Sequence, residues 1–461
     1  MPLNHLGHYR GLMDTLLLNS LIGALGPDRV LTEPTAMAPF TGDYSSYTPE
    51  ADPLAVVLPR TTEEVSVALT WANEHAIPVS IHAGGSGVAG GAVAYAGGLV
   101  ISTRSMDQIV EIDPASRLAV VQPGVITAQL DRAAREHGLF FAPDPASTEI
   151  STVGGNIATN AGGFRCIAYG DTAAAVAGLT VVLADGSVIT TGSRTVKNST
   201  GYNLTQLFTG SEGTLGVITE ATVWLTPVPE GSCHTFLAAF DTLDDAVRAV
   251  VEINASPAFL EALELIDSGI VGFIEDFASP GLPRPAAGLL MGQAISPSAA
   301  ADIERAAQIC RNNGATEVTT AADDSLLDAR RLALPALQKA GQWVNGDVGV
   351  PVPALPAMIT RIAEISAELG VEVRIVAHAG DGNLHPNVRR TGEVDPVADE
   401  AMDRIISAAV AYGGVITGEH GIGMAKHNEL ALQFDEATLA AQHAIKSALD
   451  PKNILSPNRG I

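Results

Sequence analysis

Cysteine is scarce in this chain: Cys166, Cys233 and Cys310 are the only three in 461 residues, far apart and without a Cys-x-x-Cys pair. That excludes a disulfide framework and a thiolate metal cluster and suits a reducing compartment. Basic residues are also few, 26 Lys+Arg against 51 Asp+Glu, for a formal net charge of −25. So acidic a surface argues against nucleic acid or an anionic membrane as partner, and solubility alone accounts for it. Long apolar runs are lacking, and nothing approaches the roughly 18–20 residues of a membrane span. The apolar stretch Met13–Leu25 has neither a cationic start nor a small-residue cleavage site, so it reads as a surface helix rather than a signal peptide. Aromatics are 5 % and hydrophobic residues 46 %, the profile of an Ala- and Gly-rich globular protein. A cytoplasmic location is expected.

A chain of this length exceeds what one hydrophobic core serves, so two or more domains are expected. Residues 54–82 read as a βαβ unit: a strand at Leu54–Leu58, a capping box from Thr61 to Glu64, a helix to about Ala76 and a strand at Ile77–His82. Short strands and Gly-rich turns follow to about residue 226, with a helix at Thr127–His137 stopped by Gly138. Thr226-Pro-Val-Pro-Glu-Gly231 breaks the pattern. Helices then alternate with strands, among them Leu243–Ile253, Pro297–Asn312, Ala354–Leu369 and the strand Val371–Ala377.

Two small-residue runs carry chemistry. Gly84 to Gly91 holds five glycines in eight residues. Glycine lets backbone N–H groups approach a ligand closely, and successive inward N–H groups form an anion nest suited to a pyrophosphate. Gly85-x-Gly87-x-x-Gly90 also matches the dinucleotide fingerprint, which needs a helix directly after it. The sequence from Gly90 to Gly98 cannot supply one, so that reading is rejected. A second run, Val153-Gly-Gly-Asn-Ile-Ala-Thr-Asn-Ala-Gly-Gly163, follows Pro143-Asp-Pro-Ala-Ser147.

In Val371–Val388, Asp381-Gly382 is a preferred two-residue hairpin turn. That turn pairs His378 directly with His385, Cβ atoms about 5 Å apart on one face, where two imidazoles can grip a metal ion. Asn387, two residues beyond His385, faces the same way. A third ligand must come from another segment, and Gly418-Glu-His-Gly-Ile-Gly423 offers Glu419, with His420 beside it.

Taken in order, these motifs, with Tyr169-Gly170, Asp185-Gly186, Gly210–Gly216, Gly413–Lys426 and Leu449–Pro457, resemble the vanillyl-alcohol-oxidase/PCMH flavoproteins. Within them the chain resembles the branch that holds the glycolate oxidase flavoproteins, D-lactate dehydrogenases and D-2-hydroxyglutarate dehydrogenases. The resemblance implies an α+β protein. A PCMH-type FAD-binding domain at 1–229 precedes an α+β substrate, or cap, domain with an antiparallel sheet at 230–424. A C-terminal tail at 425–461 returns to the FAD domain. It also implies FAD contacts at Gly84, Gly85, Ser86, Gly87, Pro143, Ser147, Gly155, Asn156, Asn160, Gly163 and Glu212. Where the family often has Arg-Gly, this chain has His82-Ala83, which puts a side-chain contact there in doubt. Relatives that attach flavin covalently through this loop place a histidine where Ser86 stands, so non-covalent FAD is expected.

The same resemblance implies His378, His385 and Glu419 as ligands of a divalent metal, Zn first, with Mn or Fe also compatible. The implied reaction oxidises a small D-2-hydroxy acid of the D-lactate or glycolate type to the 2-oxo acid by hydride transfer to flavin. His420 is the expected general base. Asn387 is expected in the catalytic group, and Arg330 is either a carboxylate clamp or a solvated helix residue. In relatives acting on D-2-hydroxyglutarate, an Arg, a Thr and a Lys contact substrate. Anchored on Asp347–Pro351, those positions fall on Arg330, Leu334 and Asn345, which disfavours a second carboxylate. An electron acceptor is expected, whether quinone, electron-transfer flavoprotein or an iron–sulfur subunit; it could also tether the chain peripherally to a membrane. A homodimer is compatible. The rival readings are a non-redox FAD enzyme of the alkylglycerone-phosphate synthase type, which carries a run of histidines at Gly418–His420, and a non-catalytic flavin subunit, which would not need the two histidines and Glu419.

Overall fold

The structure is a computed structural model that describes residues 16–284, 287–392 and 394–461. The chain folds as two compact units. The first comprises the N-terminal part to Ala161, Asp171–Val228 and His420–Ile461; the second is Gly162–Gly170 with Pro229–Glu419. The main boundary at Val228/Pro229 lies one residue from the expected one, while Gly162–Gly170 groups with the second unit and the chain returns to the first at His420 rather than at residue 425.

The first unit holds two main sheets. In the smaller one the strands Ala55–Val57 and Val79–His82 both run parallel to Leu99–Ser102, which lies between them. The connecting helix Thr62–His75 starts where expected, because Thr61 Oγ1 accepts the Glu64 N–H at 3.2 Å. The capping box is only half closed: Glu64 turns to the Arg60 N–H and to Arg29 instead of the Thr61 N–H. Val65, Ala68, Leu69 and Ala72 form the helix's buried stripe against the sheet. Residues 16–25 are helical, and Leu21 is fully buried in that same core with Leu17, Leu18, Ile22 and Leu25 packed against it. The expected surface helix is therefore an amphipathic one docked by its apolar face; Met13–Thr15 lie outside the described residues. The larger sheet is antiparallel, in the order Ile109–Asp113, Leu118–Val121, Val217–Trp224, Val176–Val182, Val188–Gly192.

The second unit is built on an eight-stranded antiparallel sheet. Its main path runs Ala315–Ala321, Ser232–Phe240, Gly288–Ser296, Ala262–Asp267, Val373–His378, Asn383–Arg389, Trp343–Asn345, and Val348–Gly349 also pairs Asn383–Arg389. Helices Leu243–Ala255, Ala299–Asn312 and Leu355–Leu369 fall within two residues of their expected ends, and Pro396–Ala411 follows as a further helix. No disulfide links the three cysteines. No helix among the described residues is long and apolar enough to cross a membrane.

The C-terminal tail is fastened into the first unit by one buried charge pair. Lys446 Nζ lies 2.5 Å from Asp450 Oδ2 and donates to the carbonyls of Thr214 and Leu455 at 2.8 Å each. Asp450 in turn accepts the N–H groups of Ile454 and Leu455, and Leu455 then bridges Val79 at the sheet edge. Removing one partner of such a pair strands a buried charge, which costs about 3–5 kcal/mol. Lys446→Ala should lose stability on that scale in urea unfolding followed by fluorescence; a midpoint unchanged from the wild type would contradict it.

Candidate active site: a glycine cradle and a two-histidine, one-carboxylate cluster

In the first unit the strand Val79–His82 runs straight into the glycine loop. Gly84 abuts the chain at Ile150–Thr152, where a Cβ would come within 2.8 Å of the Ile150 carbonyl. Gly85 has φ +70, and a Cβ there would strike the His82 ring at 2.8 Å. His82 itself is buried, edge-on to Phe40, and burial lowers its pKa. Its side chain thus underlies the loop as packing. The N–H groups of Gly84, Gly85, Ser86 and Gly87 meet no acceptor among the described residues. The loop lies in the half-buried to exposed range. A row of unspent donors on small residues fits a pyrophosphate.

The second small-residue run forms the helix Val153–Thr159, capped by Thr152 Oγ1 on the Gly155 N–H. Its two asparagines have local partners. Asn156 is buried and donates to Thr127 Oγ1 at 2.8 Å. Asn160 closes the helix with φ 52 and joins Asp171 Oδ2 and the Ala173 N–H. Glu212 accepts the Ile422 and Gly423 N–H groups at 2.5 and 2.7 Å. These three side chains therefore order the first unit's loops. Pro143 and Ser147 lie in the loop ahead of this run, and Gly163 lies in the second unit.

In the second unit the hairpin register differs from the expected one by two residues. His378 pairs Asn383 and His385 pairs Val376, so the connection is the four residues Ala379–Gly382, with Gly382 at φ +83. Asp381 Oδ1 accepts the Asn383 N–H inside this loop, which replaces the expected two-residue turn. A shift of two preserves the face of every side chain, whereas a shift of one would have reversed it. The histidines are therefore diagonal neighbours on one face, ring centroids 5.3 Å apart and perpendicular. Glu419 Oε1 lies 3.5 Å from His378 Nε2 and 3.2 Å from His385 Nε2. One ligand atom from each of the three falls within 4.8 Å of the others. Burial disfavours the Glu419 carboxylate, but the two histidines outweigh it and hold its pKa well below the usual range. Two imidazoles and one carboxylate converging at these distances are a donor set that fits a divalent metal such as zinc.

Supporting groups lie behind these three. Glu264 Oε1 meets His378 Nδ1 at 2.8 Å. Burial opposes a charged His378, yet Glu264 raises its pKa well above the ordinary value. Asp347 is fully buried and accepts Thr417 Oγ1 and the N–H groups of Gly418 and Glu419 at 2.6–3.0 Å, which fixes the segment carrying Glu419. Glu264 carries no sequence motif; its one signal is an acid inside the apolar strand Ala262-Leu-Glu-Leu-Ile-Asp267. Nothing in the run Asp347–Pro351 marks its first residue as a buried acceptor.

Arg330 is neither solvated nor on a regular α-helix: it sits in the 3-10 turn Ala329–Leu332, buried, with Nη2 3.0 Å from Glu264 Oε2. Asn387 spends its amide on the His385 carbonyl at 2.8 Å, so it holds the strand. Leu334 is 51 % exposed. His420 follows Glu419 directly and begins the chain's return to the first unit.

The fold and the glycine cradle define a flavin-dependent oxidoreductase. Residues 53–192 match the FAD binding domain family, and residues 232–459 match FAD linked oxidases, C-terminal domain. The chain is 41 % identical over 418 residues to the glycolate oxidase subunit GlcD of Bacillus subtilis, covering 88 % of each. It is 41 % identical over 417 residues to the D-lactate dehydrogenase of Archaeoglobus fulgidus, covering 89 % of this chain and 91 % of that one. Among solved structures, p-cresol methylhydroxylase with substrate bound aligns with a TM-score of 0.77 over 97 % of this chain and 96 % of its own, at 19 % identity, which shows the PCMH-type fold. The protein belongs to the FAD-linked oxidases and is an enzyme that binds FAD.

Non-covalent FAD is the expectation from the glycine loop, where Ser86 lacks the imidazole that a histidyl link to flavin needs. Acid precipitation should release the yellow colour into the supernatant; colour that stays with the pellet would contradict it.

Proposed function

We propose that this enzyme oxidises a small D-2-hydroxy acid, of the glycolate or D-lactate type, to the 2-oxo acid with the help of a divalent metal. The observation that carries the reading is the convergence of His378, His385 and Glu419 within 4.8 Å. Relatives named for glycolate and D-lactate support the substrate class; the D configuration rests on the D-lactate relative.

The unspent N–H groups of Gly84–Gly87 would hold the FAD pyrophosphate, with Gly155 leaving room beside the loop, where a Cβ would meet Ala83 at 3.2 Å. FAD, when bound, supplies the acceptor for the hydride leaving C2. His378, His385 and Glu419 would hold the metal, which supplies a Lewis acid that lowers a hydroxyl's pKa. Asp347 orients Glu419 through the N–H bonds to its segment. His420, next in the chain, takes the hydroxyl proton, so the substrate gives up one hydride and one proton in all. The electron acceptor that reoxidises the enzyme is a quinone, an electron-transfer flavoprotein or an iron–sulfur subunit. The carboxylate clamp expected at Arg330 is not carried forward, because its guanidinium faces Glu264.

Two results test this assignment. His420→Asn should lower the rate of flavin reduction by ~10²–10⁴-fold, the range for losing a general base, with little change in substrate binding; an unaltered rate across pH would remove His420 from that role. The second is kcat/KM for D-lactate against D-2-hydroxyglutarate. Leu334 and Asn345 offer no second cation for a dicarboxylate, so D-lactate should be preferred. A clear preference for 2-hydroxyglutarate would overturn the substrate assignment and leave the flavin and metal assignments standing.

A further inference from the structure

Glu264 is fully buried on the strand Ala262–Asp267, between the buried residues Leu263 and Leu265. An apolar residue would suit that position better on packing grounds, because a carboxylate withdrawn from water tends to neutralise unless it is paired. Glu264 has a partner on each oxygen. Its Cα partner across the sheet is His378, so the two side chains share a face. Oε1 meets His378 Nδ1 at 2.8 Å and Oε2 meets Arg330 Nη2 at 3.0 Å. Phe164 closes the group: the Arg330 guanidinium lies 5.2 Å from the centre of its ring, and His378 meets it edge-on at 5.2 Å.

We infer that Glu264, with Arg330 anchored behind it, is the positioning residue that sets His378 as a metal ligand, and that Arg330 serves this anchor rather than the substrate carboxylate. The inference rests on the metal reading above. A carboxylate on Nδ1 takes that nitrogen's proton as a hydrogen bond and leaves Nε2 as the lone-pair side of the ring. Nε2 is the nitrogen that faces Glu419 and the His385 side of the cluster. Arg330 sits on the second oxygen of Glu264, so the carboxylate is held from both sides and the ring's orientation with it. Phe164 limits rotation of both neighbours. These contacts reach the cluster through His378 Nδ1, so their effect should be read in metal affinity before it is read in rate.

The test uses the full FAD-loaded chain, stripped of metal and titrated with Zn²⁺ in competition with a chromophoric chelator. Glu264→Gln keeps the shape and an acceptor but removes the charge. It should weaken zinc affinity by ~10–100-fold, the usual effect of losing such a partner, with the flavin spectrum unchanged. Arg330→Met should weaken zinc in the same direction, and Arg330→Lys should recover part of the loss. If Glu264→Gln does not fold, the Arg330 pair decides. Wild-type zinc affinity in both Glu264→Gln and Arg330→Met would overturn the inference while leaving the metal reading in place. Unchanged zinc affinity with a raised KM for the hydroxy acid in Arg330→Lys would return Arg330 to the substrate. A wild-type chain that takes up no zinc would overturn the metal reading and this inference with it.

Discussion

His378 and His385 can meet only because the two strands that carry them are registered in even step. Side chains alternate faces along a strand, so any odd displacement would send one imidazole to each side of the sheet. The observed pairing of His378 with Asn383 and His385 with Val376 keeps the parity. The rest of the second unit's site depends on that constraint. The next strand, Ala262–Asp267, inherits the same face and brings Glu264 opposite His378. The turn beyond it is closed by Asp381 and a left-handed Gly382. The Gly418–Glu419 segment is then fastened to the fully buried Asp347 by its own N–H groups. The ligand atoms therefore converge through backbone register and buried acceptors, with little left to side-chain freedom.

The first unit answers a different requirement. Its glycine loop keeps donors unspent and side chains out of the way, while the polar groups around it are occupied. Asn156 and Asn160 bind Thr127 and Asp171, and Glu212 holds the returning tail at Ile422 and Gly423. The Lys446–Asp450 pair does the same for the tail, whose Leu455 joins the edge of the sheet from which the glycine loop departs.

Much of this was legible in the sequence where the cause is local. Thr61 as a helix cap and Gly138 as a stop each follow from residues within one turn of one another. The histidine pair was legible for a subtler reason: face depends on parity alone, so the register could be misjudged by two residues without harm. Long-range partners were not legible. Glu264 and Arg330 are 66 positions apart in numbering and meet only through the tertiary fold, and nothing near either one marks a buried ion pair. Asn156 and Asn160 also have partners that their small-residue run does not announce, Thr127 and Asp171, 29 and 11 positions away. The grouping of Gly162–Gly170 with the second unit was not legible either: that short segment supplies Phe164 to the Arg330–His378 group.

The central claim is that the two-histidine, one-carboxylate cluster assists oxidation of a hydroxy acid by the flavin. The most direct measurement is anaerobic mixing of the FAD-loaded enzyme with D-lactate or glycolate, following flavin absorbance, before and after metal is stripped and again after zinc is restored. Bleaching that is rapid with metal, lost without it and regained on restoration, while the oxidised flavin spectrum is the same in all three samples, is the predicted result. Equally fast bleaching by the stripped enzyme would contradict the claim.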